Sequence, residues 1–178
     1  MNPQIILITG GARSGKSRYA EQRALAIGNK PLYVATAEGL DEEMTQRIAE
    51  HRKRRGANWR TLEAPLELIE ALLAERGKTD CAVVDCLTLW LSNLLIRHDE
   101  ESAASHVRNL IAHLRRLDFP VIVVTNEVGW GIVPDNPLAR KFRDLAGWAN
   151  QQMAQAADEV ILMVAGIPII AKQETPCR

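Results

Sequence analysis

The chain predicts an α/β fold, a nucleotide-binding domain with a mostly parallel sheet flanked by helices, on three observations. Short apolar runs alternate with longer segments of helical periodicity, the pattern of repeated βαβ units. The first run, Ile5-Ile6-Leu7-Ile8-Thr9, leads directly into Gly10-Gly11-Ala12-Arg13-Ser14-Gly15-Lys16-Ser17, which fits the phosphate-binding loop G-x-x-x-x-G-K-[ST]. Two later runs, Cys81-Ala82-Val83-Val84-Asp85 and Val121-Ile122-Val123-Val124-Thr125-Asn126-Glu127, end in polar groups, as buried parallel strands do where their carboxyl ends meet a ligand.

The loop motif carries a mechanism. Its glycines let the backbone wrap close to phosphate oxygens with N–H groups pointing inward, and Lys16 reaches the β and γ phosphates. Ser17 is placed to ligate Mg²⁺, and a helix starting near Lys16 offers its positive end to the same anion.

In chain order, residues 17–27 read as a helix stopped by Gly28-Asn29, and 31–36 as the second strand. The end Ala35-Thr36-Ala37 then shares the carboxyl edge with the loop. Residues 41–55 form a charged helix, with Asp41 as cap, Glu42 and Glu43 in its first turn, Arg52-Lys53-Arg54-Arg55 in its last, and Gly56 as its end. A short strand over 58–63, a turn at Pro65 and an amphipathic helix over 66–76 follow. Residues 88–96 form a helix so apolar that the core or a subunit interface must cover it. A helix over 102–117 turns His106 and His113 outward, without chemistry of their own. The Gly- and Pro-rich stretch 128–137 is a loop over the site, 138–157 a long helix with Phe142, Leu145, Ala149 and Met153 inward, 159–164 a strand, and 167–171 an edge strand bearing Pro168. The tail over 173–178 reads as polar and frayed.

The 178 residues suffice for one sizeable core, so a single domain over 1–178 is expected. Lysine plus arginine equals aspartate plus glutamate at 22 each, so no global field points to nucleic acid. Three cysteines, Cys81, Cys86 and Cys177, show no metal spacing and suit a reducing cytosol. No secretion signal precedes the first strand, and no stretch is long enough to span a bilayer, which together predict a cytoplasmic protein.

The remaining chemistry sits at strand ends and on the charged helix. Asp85, at the tip of its strand, is read as the acid beside Mg²⁺, with a capping aspartate as the bland alternative. His51 shares a helix face with Arg47 and Arg55, which suits either a reactive imidazole among cations or an edge-of-core histidine. Three classes compete: a phosphoryl or nucleotidyl transferase, a motor ATPase and a nucleotide switch. Cys86 follows Asp85 where a motor ATPase often carries a glutamate, and no Asn-Lys-x-Asp guanine-reading motif occurs. A transferase fits best, since the basic helix and the Gly/Pro loop could shield an acceptor from water.

Motifs running nearly end to end extend this reading: the loop 10–17, Tyr33-Val34-Ala35-Thr36, Asp41-Glu42-Glu43-Met44 with Arg47-Ile48, His51-Arg52 followed by Trp59, and Thr61-Leu62-Glu63. Further on come Asp85-Cys86-Leu87-Thr88 with Asn93-Leu94-Leu95, and Thr125-Asn126-Glu127-Val128-Gly129-Trp130-Gly131-Ile132-Val133-Pro134. Phe142-Arg143-Asp144, Asn150-Gln151, Ala157-Asp158-Glu159-Val160 and Gly166-Ile167-Pro168 complete the set. In these the chain resembles the bifunctional adenosylcobinamide kinase / adenosylcobinamide-phosphate guanylyltransferase family of cobalamin biosynthesis. One departure is Gly56, where the family often has proline.

The resemblance implies a RecA-like P-loop fold, a homotrimer with sites at subunit boundaries, and two reactions. Adenosylcobinamide is phosphorylated with ATP or GTP, and GMP then passes from GTP onto that phosphate. The alternative is a P-loop small-molecule kinase or NTPase without guanylyl transfer. By the resemblance, nucleotide contacts are Gly10, Gly11, Ala12, Arg13, Ser14, Gly15, Lys16, Ser17, Ala35, Thr36, Ala37, Arg52, Lys53, Arg54, Arg55, Glu63 and Asp85, with Ser17 and Asp85 on Mg²⁺. His51 matches the histidine that carries GMP, and His51 and Lys16 are the expected catalytic residues.

Overall fold

Each apolar run forms a strand. β1 (Ile5–Gly10), β2 (Pro31–Ala35), β4 (Cys81–Asp85), β5 (Val121–Val124) and β6 (Glu159–Val164) are joined by the shorter β3 (Arg60–Glu63) and by β7 (Ile167–Gln173). Between them run α1 (Lys16–Ile27), α2 (Glu42–Arg55), α3 (Leu68–Leu73), α4 (Leu87–Arg97), α5 (Glu100–Leu114) and α6 (Pro137–Ala156). This computed structural model describes residues 4–39, 42–56 and 58–173, and within α2 the side chains of 43–45, 47, 48, 51 and 54 lie outside that description. The expected Asp41 cap and the tail beyond Gln173, with Cys177, fall outside the described residues.

The strands make one sheet in the order β3-β2-β4-β5-β1-β6-β7. The first six run parallel, and β7 turns back antiparallel on β6. Gly166 makes that reversal at φ +84, and β7 keeps Pro168 on an edge, where its missing N–H breaks no inner ladder.

Strand parity divides the core in two. Ile5, Leu7, Leu32, Val34, Ala82, Val84, Val121 and Val123 face α3 to α6 in the larger cluster. Ile6, Ile8, Tyr33, Ala35, Cys81, Val83, Ile122 and Val124 face the other way, with Ala20 and Ala24 of α1. Tyr33 therefore shares a face with Val83 and Asp85, and that parity builds the site.

The apolar α4 is covered by the core, one of the two covers expected for it: Leu87, Trp90, Leu91 and Leu94 are buried, and Trp90 Nε1 donates to Leu66 O at 2.8 Å. Three expectations change. α3 spans only Leu68–Leu73, because three-residue turns through Glu75 and Lys78 tighten the chain into Gly77 at φ +71. His106 is not on the outward face. Its ring stacks on His98 and meets Trp90 edge-on, while Nδ1 lies 2.8 Å from Ser102 O. α5 starts earlier than its periodicity suggests because Asp99 caps it, accepting from Ser102 N.

Gly56 ends α2 at φ +74, a value closed to proline, and so gives the helix a left-handed end. Among the described residues no helix is long and apolar enough to cross a membrane.

Candidate active site

A cavity of about 770 Å³ opens at the carboxyl ends of β1, β2, β3, β4 and β5, at the edge where open parallel sheets take ligands. Residues Ala12 to Arg18 form one wall, and Gln46, Glu50, Arg52 and Arg55 of α2 form the other. Ala35, Ala37, Thr61, Glu63, Asp85, Leu89 and Asn126 lie between them.

The loop takes its shape from two glycines. Gly10 sits at φ +144, where an added Cβ would fall 2.5 Å from Met163 O, so only glycine lets β1 leave beside β6. Gly15, at φ +94, opens α1 with no side-chain cap, leaving the first helical N–H groups for an anion. Lys16 is buried beneath the loop, and its Nζ donates to Gly11 O at 2.6 Å. Ser17, one residue further on, is half-buried on the cavity wall.

Asp85 stands across the floor, and Tyr33 Oη donates to its Oδ2 at 2.7 Å. Burial and then the Asp85 charge push the Tyr33 hydroxyl far above its usual range, so it remains a proton donor. Cys86, next to Asp85, is buried and its thiol is pushed up to about 11, first by burial and then by Asp85. Mg²⁺ fits this donor set: a carboxylate and a hydroxyl reach the cavity, and nucleotide phosphates would supply further oxygens. Among the described residues no cluster of three His, Cys, Asp or Glu could hold a metal alone.

On the β5 side, Asn126 Nδ2 donates to Thr88 Oγ1 at 2.8 Å. Behind it Glu127 Oε1 accepts from Thr9 Oγ1 at 2.6 Å and from Asn150 Nδ2 at 3.2 Å, while Thr125 Oγ1 donates to Asn150 Oδ1 at 2.7 Å. These bonds lock the β5 exit to β1 and to α6.

Of the residues expected to contact nucleotide, the structure brings Ala12 to Ser17, Ala35, Ala37, Arg52, Arg55, Glu63 and Asp85 to one cavity. Thr36 is on the same edge but turned away. It is 0% exposed, its Oγ1 donates to Cys86 O at 2.8 Å and accepts from Cys86 N at 2.7 Å, and so it fastens β2 to the β4 exit. Gly10 and Gly11 shape the loop without lining the cavity, and Lys53 is exposed away from it. The side chains of His51 and Arg54 are outside the described set. Sequence reasoning assigned no role to Tyr33 or Leu89 and placed Asn126 only among the polar groups at a ligand-facing strand end; the period-two parity of β2 and β4 was the signal that could have found Tyr33.

With this geometry in place, comparison with known proteins decides the family. The family described as cobinamide kinase / cobinamide phosphate guanyltransferase matches residues 6–170. The chain belongs to this family. It is 48% identical to the bifunctional adenosylcobalamin biosynthesis protein CobP of Pseudomonas aeruginosa, over 94% of this chain and 97% of that one. It is 42% identical to CobU of Escherichia coli K12, over 94% and 99%. Among solved structures it is similar to the flagellar accessory protein FlaH of Methanocaldococcus jannaschii, with a TM-score of 0.59 and 16% identity over 97% of this chain and 80% of that one. The RadB recombinase follows at 0.56 and 17%, over 90% and 74%. These two likenesses carry the RecA-like fold alone. As a cobinamide kinase / cobinamide phosphate guanylyltransferase, the chain is a bifunctional, nucleotide-using enzyme of adenosylcobalamin biosynthesis.

Proposed function

We propose that both reactions of this enzyme use the one cavity and that His51 carries GMP between them. The supporting observation is that the wall opposite the phosphate loop is made by α2 residues Glu50, Arg52 and Arg55, which bracket His51 in sequence. The loop wall delivers a terminal phosphoryl group. A group that reaches the α-phosphorus has to come from elsewhere, and α2 is the element facing the loop.

In the kinase step GTP or ATP lies with its phosphates on residues 10–17. Lys16 and the N–H groups at the start of α1 stabilise charge as the γ-phosphoryl group moves to the hydroxyl of adenosylcobinamide. Ser17 and Asp85 would hold Mg²⁺, which supplies neutralising charge on the phosphates when bound. In the transfer step the neutral imidazole of His51 attacks the α-phosphorus of GTP; the N–P bond forms as the bond to the β-phosphate oxygen breaks, and pyrophosphate leaves. A phosphate oxygen of adenosylcobinamide phosphate then attacks the same phosphorus, the N–P bond breaks, and adenosylcobinamide-GDP forms. Arg52 and Arg55 hold phosphate oxygens while charge spreads.

The reading includes a single domain over 1–178, a cytoplasmic enzyme and a homotrimer. Exposed apolar side chains at Ile167, Ile169 and Ile170 of β7, and at Ile132, 97% exposed in the loop after β5, support the assembly.

Incubation with α-labelled GTP and Mg²⁺ tests it. The chain should acquire an acid-labile, base-stable GMP adduct, and His51→Ala should lose the adduct and guanylyl transfer while still phosphorylating cobinamide. A labelled mutant would place the nucleophile on another residue. Loss of both reactions together would make His51 a structural part of α2.

A further inference from the structure

We propose that Tyr33 is a positioning residue shared by the two phosphate-handling walls of the cavity: its hydroxyl fixes the Asp85 carboxylate near the loop, and its ring face carries the Arg55 guanidinium of α2. This rests on the reading of Asp85 and Arg55 as nucleotide-binding groups given above.

The placement follows from register. β2 pairs with β4 so that Tyr33 lies beside Val83 and Ala35 beside Asp85. Residues two apart on a strand share a face, so the Tyr33 ring and the Asp85 carboxylate stand on the same side, one step apart along the strands. Leaning over that step, the phenol brings its oxygen 2.7 Å from Asp85 Oδ2. The ring is 5% exposed, and Trp59 meets it edge-on at 6.2 Å with an interplanar angle of 81°, which fixes the plane of the ring. Its hydroxyl has one proton, and the bond to Oδ2 uses it. That bond orients the carboxylate and leaves Oδ1 as the oxygen not engaged by Tyr33.

On the other side, Arg55 Cζ lies 3.5 Å from the ring centroid. Its Nε and Nη1 are buried and have no hydrogen-bond partner, although Arg55 lines the cavity. A buried donor left unpaired is costly because it has given up water without a replacement partner, so a stacked arginine with open donors is an arrangement completed by an acceptor. Phosphate oxygens are the acceptors for which the facing wall is built, and arginine combines stacking on an aromatic face with phosphate binding in a way lysine does not. Without the ring beneath it, Arg55 at the end of α2 would be free to turn into solvent.

The test compares Tyr33→Phe, which keeps the ring and removes the hydroxyl, with Tyr33→Leu, which removes both, alongside Asp85→Asn and Arg55→Ala. For each, kcat and the GTP KM of pyrophosphate release are measured, together with the Mg²⁺ midpoint for binding of a GTP analogue that cannot be turned over, followed by calorimetry. Tyr33→Phe should raise the Mg²⁺ midpoint about tenfold and leave the GTP KM within about twofold of wild type, as loss of a group that orients a metal-side ligand does. Tyr33→Leu should show the same midpoint shift and in addition a GTP KM raised about tenfold, as loss of a desolvated cation–π contact predicts. The proposal is overturned if Tyr33→Phe leaves the Mg²⁺ midpoint at the wild-type value, or if the two Tyr33 variants share one GTP KM. If Asp85→Asn and Arg55→Ala shift these quantities while the Tyr33 variants do not, the positioning role alone fails. If all four are silent, the assignment of Asp85 and Arg55 to nucleotide fails with it. Phenylalanine preserves the packing volume, so this arm decides the hydroxyl's role even where the leucine variant does not fold.

Discussion

Lys16 is held under the loop by its bond to Gly11 O, a position from which its ammonium can follow a phosphate without leaving the cavity wall. Lys16→Ala should lower kcat/KM for cobinamide phosphorylation about a thousandfold, the effect of removing one preorganised charge from a transition state. Steady-state assays that find turnover near wild type would reduce the loop to a binding feature. The buried thiols lead to a prediction about pH. Burial and then the charge of Asp80 push Cys81 up to about 12 from an ordinary value of 9.0. The native thiol therefore keeps its proton while the unfolded chain begins to lose it above about pH 9. The unfolded state then binds fewer protons, so stability is full below that pH and falls as pH rises towards the native value, by at most about 1.4 kcal/mol per pH unit for each such group. Urea midpoints between pH 8 and 11 should decline, and more shallowly in Cys81→Ala. Equal slopes would assign the decline to other groups such as Tyr33 and Cys86.

At the scale of elements, α4 illustrates how an all-round apolar helix is used. Trp90 is 0% exposed, reaches Leu66 O with its indole N–H, and receives the edge of His106, so it joins α4 to the α3 entry and to α5. Trp90→Ala should cost about 3–5 kcal/mol in urea unfolding, from lost burial and the cavity left behind. A loss under about 1 kcal/mol would mean that the layer collapses to fill the space. The apolar run announced a covered helix, but the cover itself comes from Leu110, Leu114, Ala146 and other residues distant in sequence. α2 differs: its composition is mostly charged, and Arg55 on Tyr33 ties its C-terminal end to the sheet. Arg97 of α4 pairs with Glu38 at 2.8 Å, which anchors the segment leading into α2.

For the whole molecule, the exposed isoleucines of β7 and the exposed Trp130 and Ile132 lie outside the core of the chain. Light scattering at micromolar concentration should return three times the chain mass, as the proposed homotrimer requires. A monomer would remove the shared-site arrangement and leave those side chains as ordinary exposed surface. The family, the phosphate loop and the class of sheet were legible in the chain because they are written locally, in motif spacing and in the period of apolar residues. β4 runs over the residues its composition marks, and Gly10 and Gly15 of the loop take the positive φ values their places demand. Contacts across the sheet were decided only by tertiary structure: Thr36 turned inward onto Cys86, Tyr33 joined to Asp85, and the α2 wall set opposite the loop. These pairs are about fifty residues apart or belong to different elements, and they depend on the order and register of strands. A shift of one residue in register would turn each side chain to the opposite face, so no local pattern could determine them.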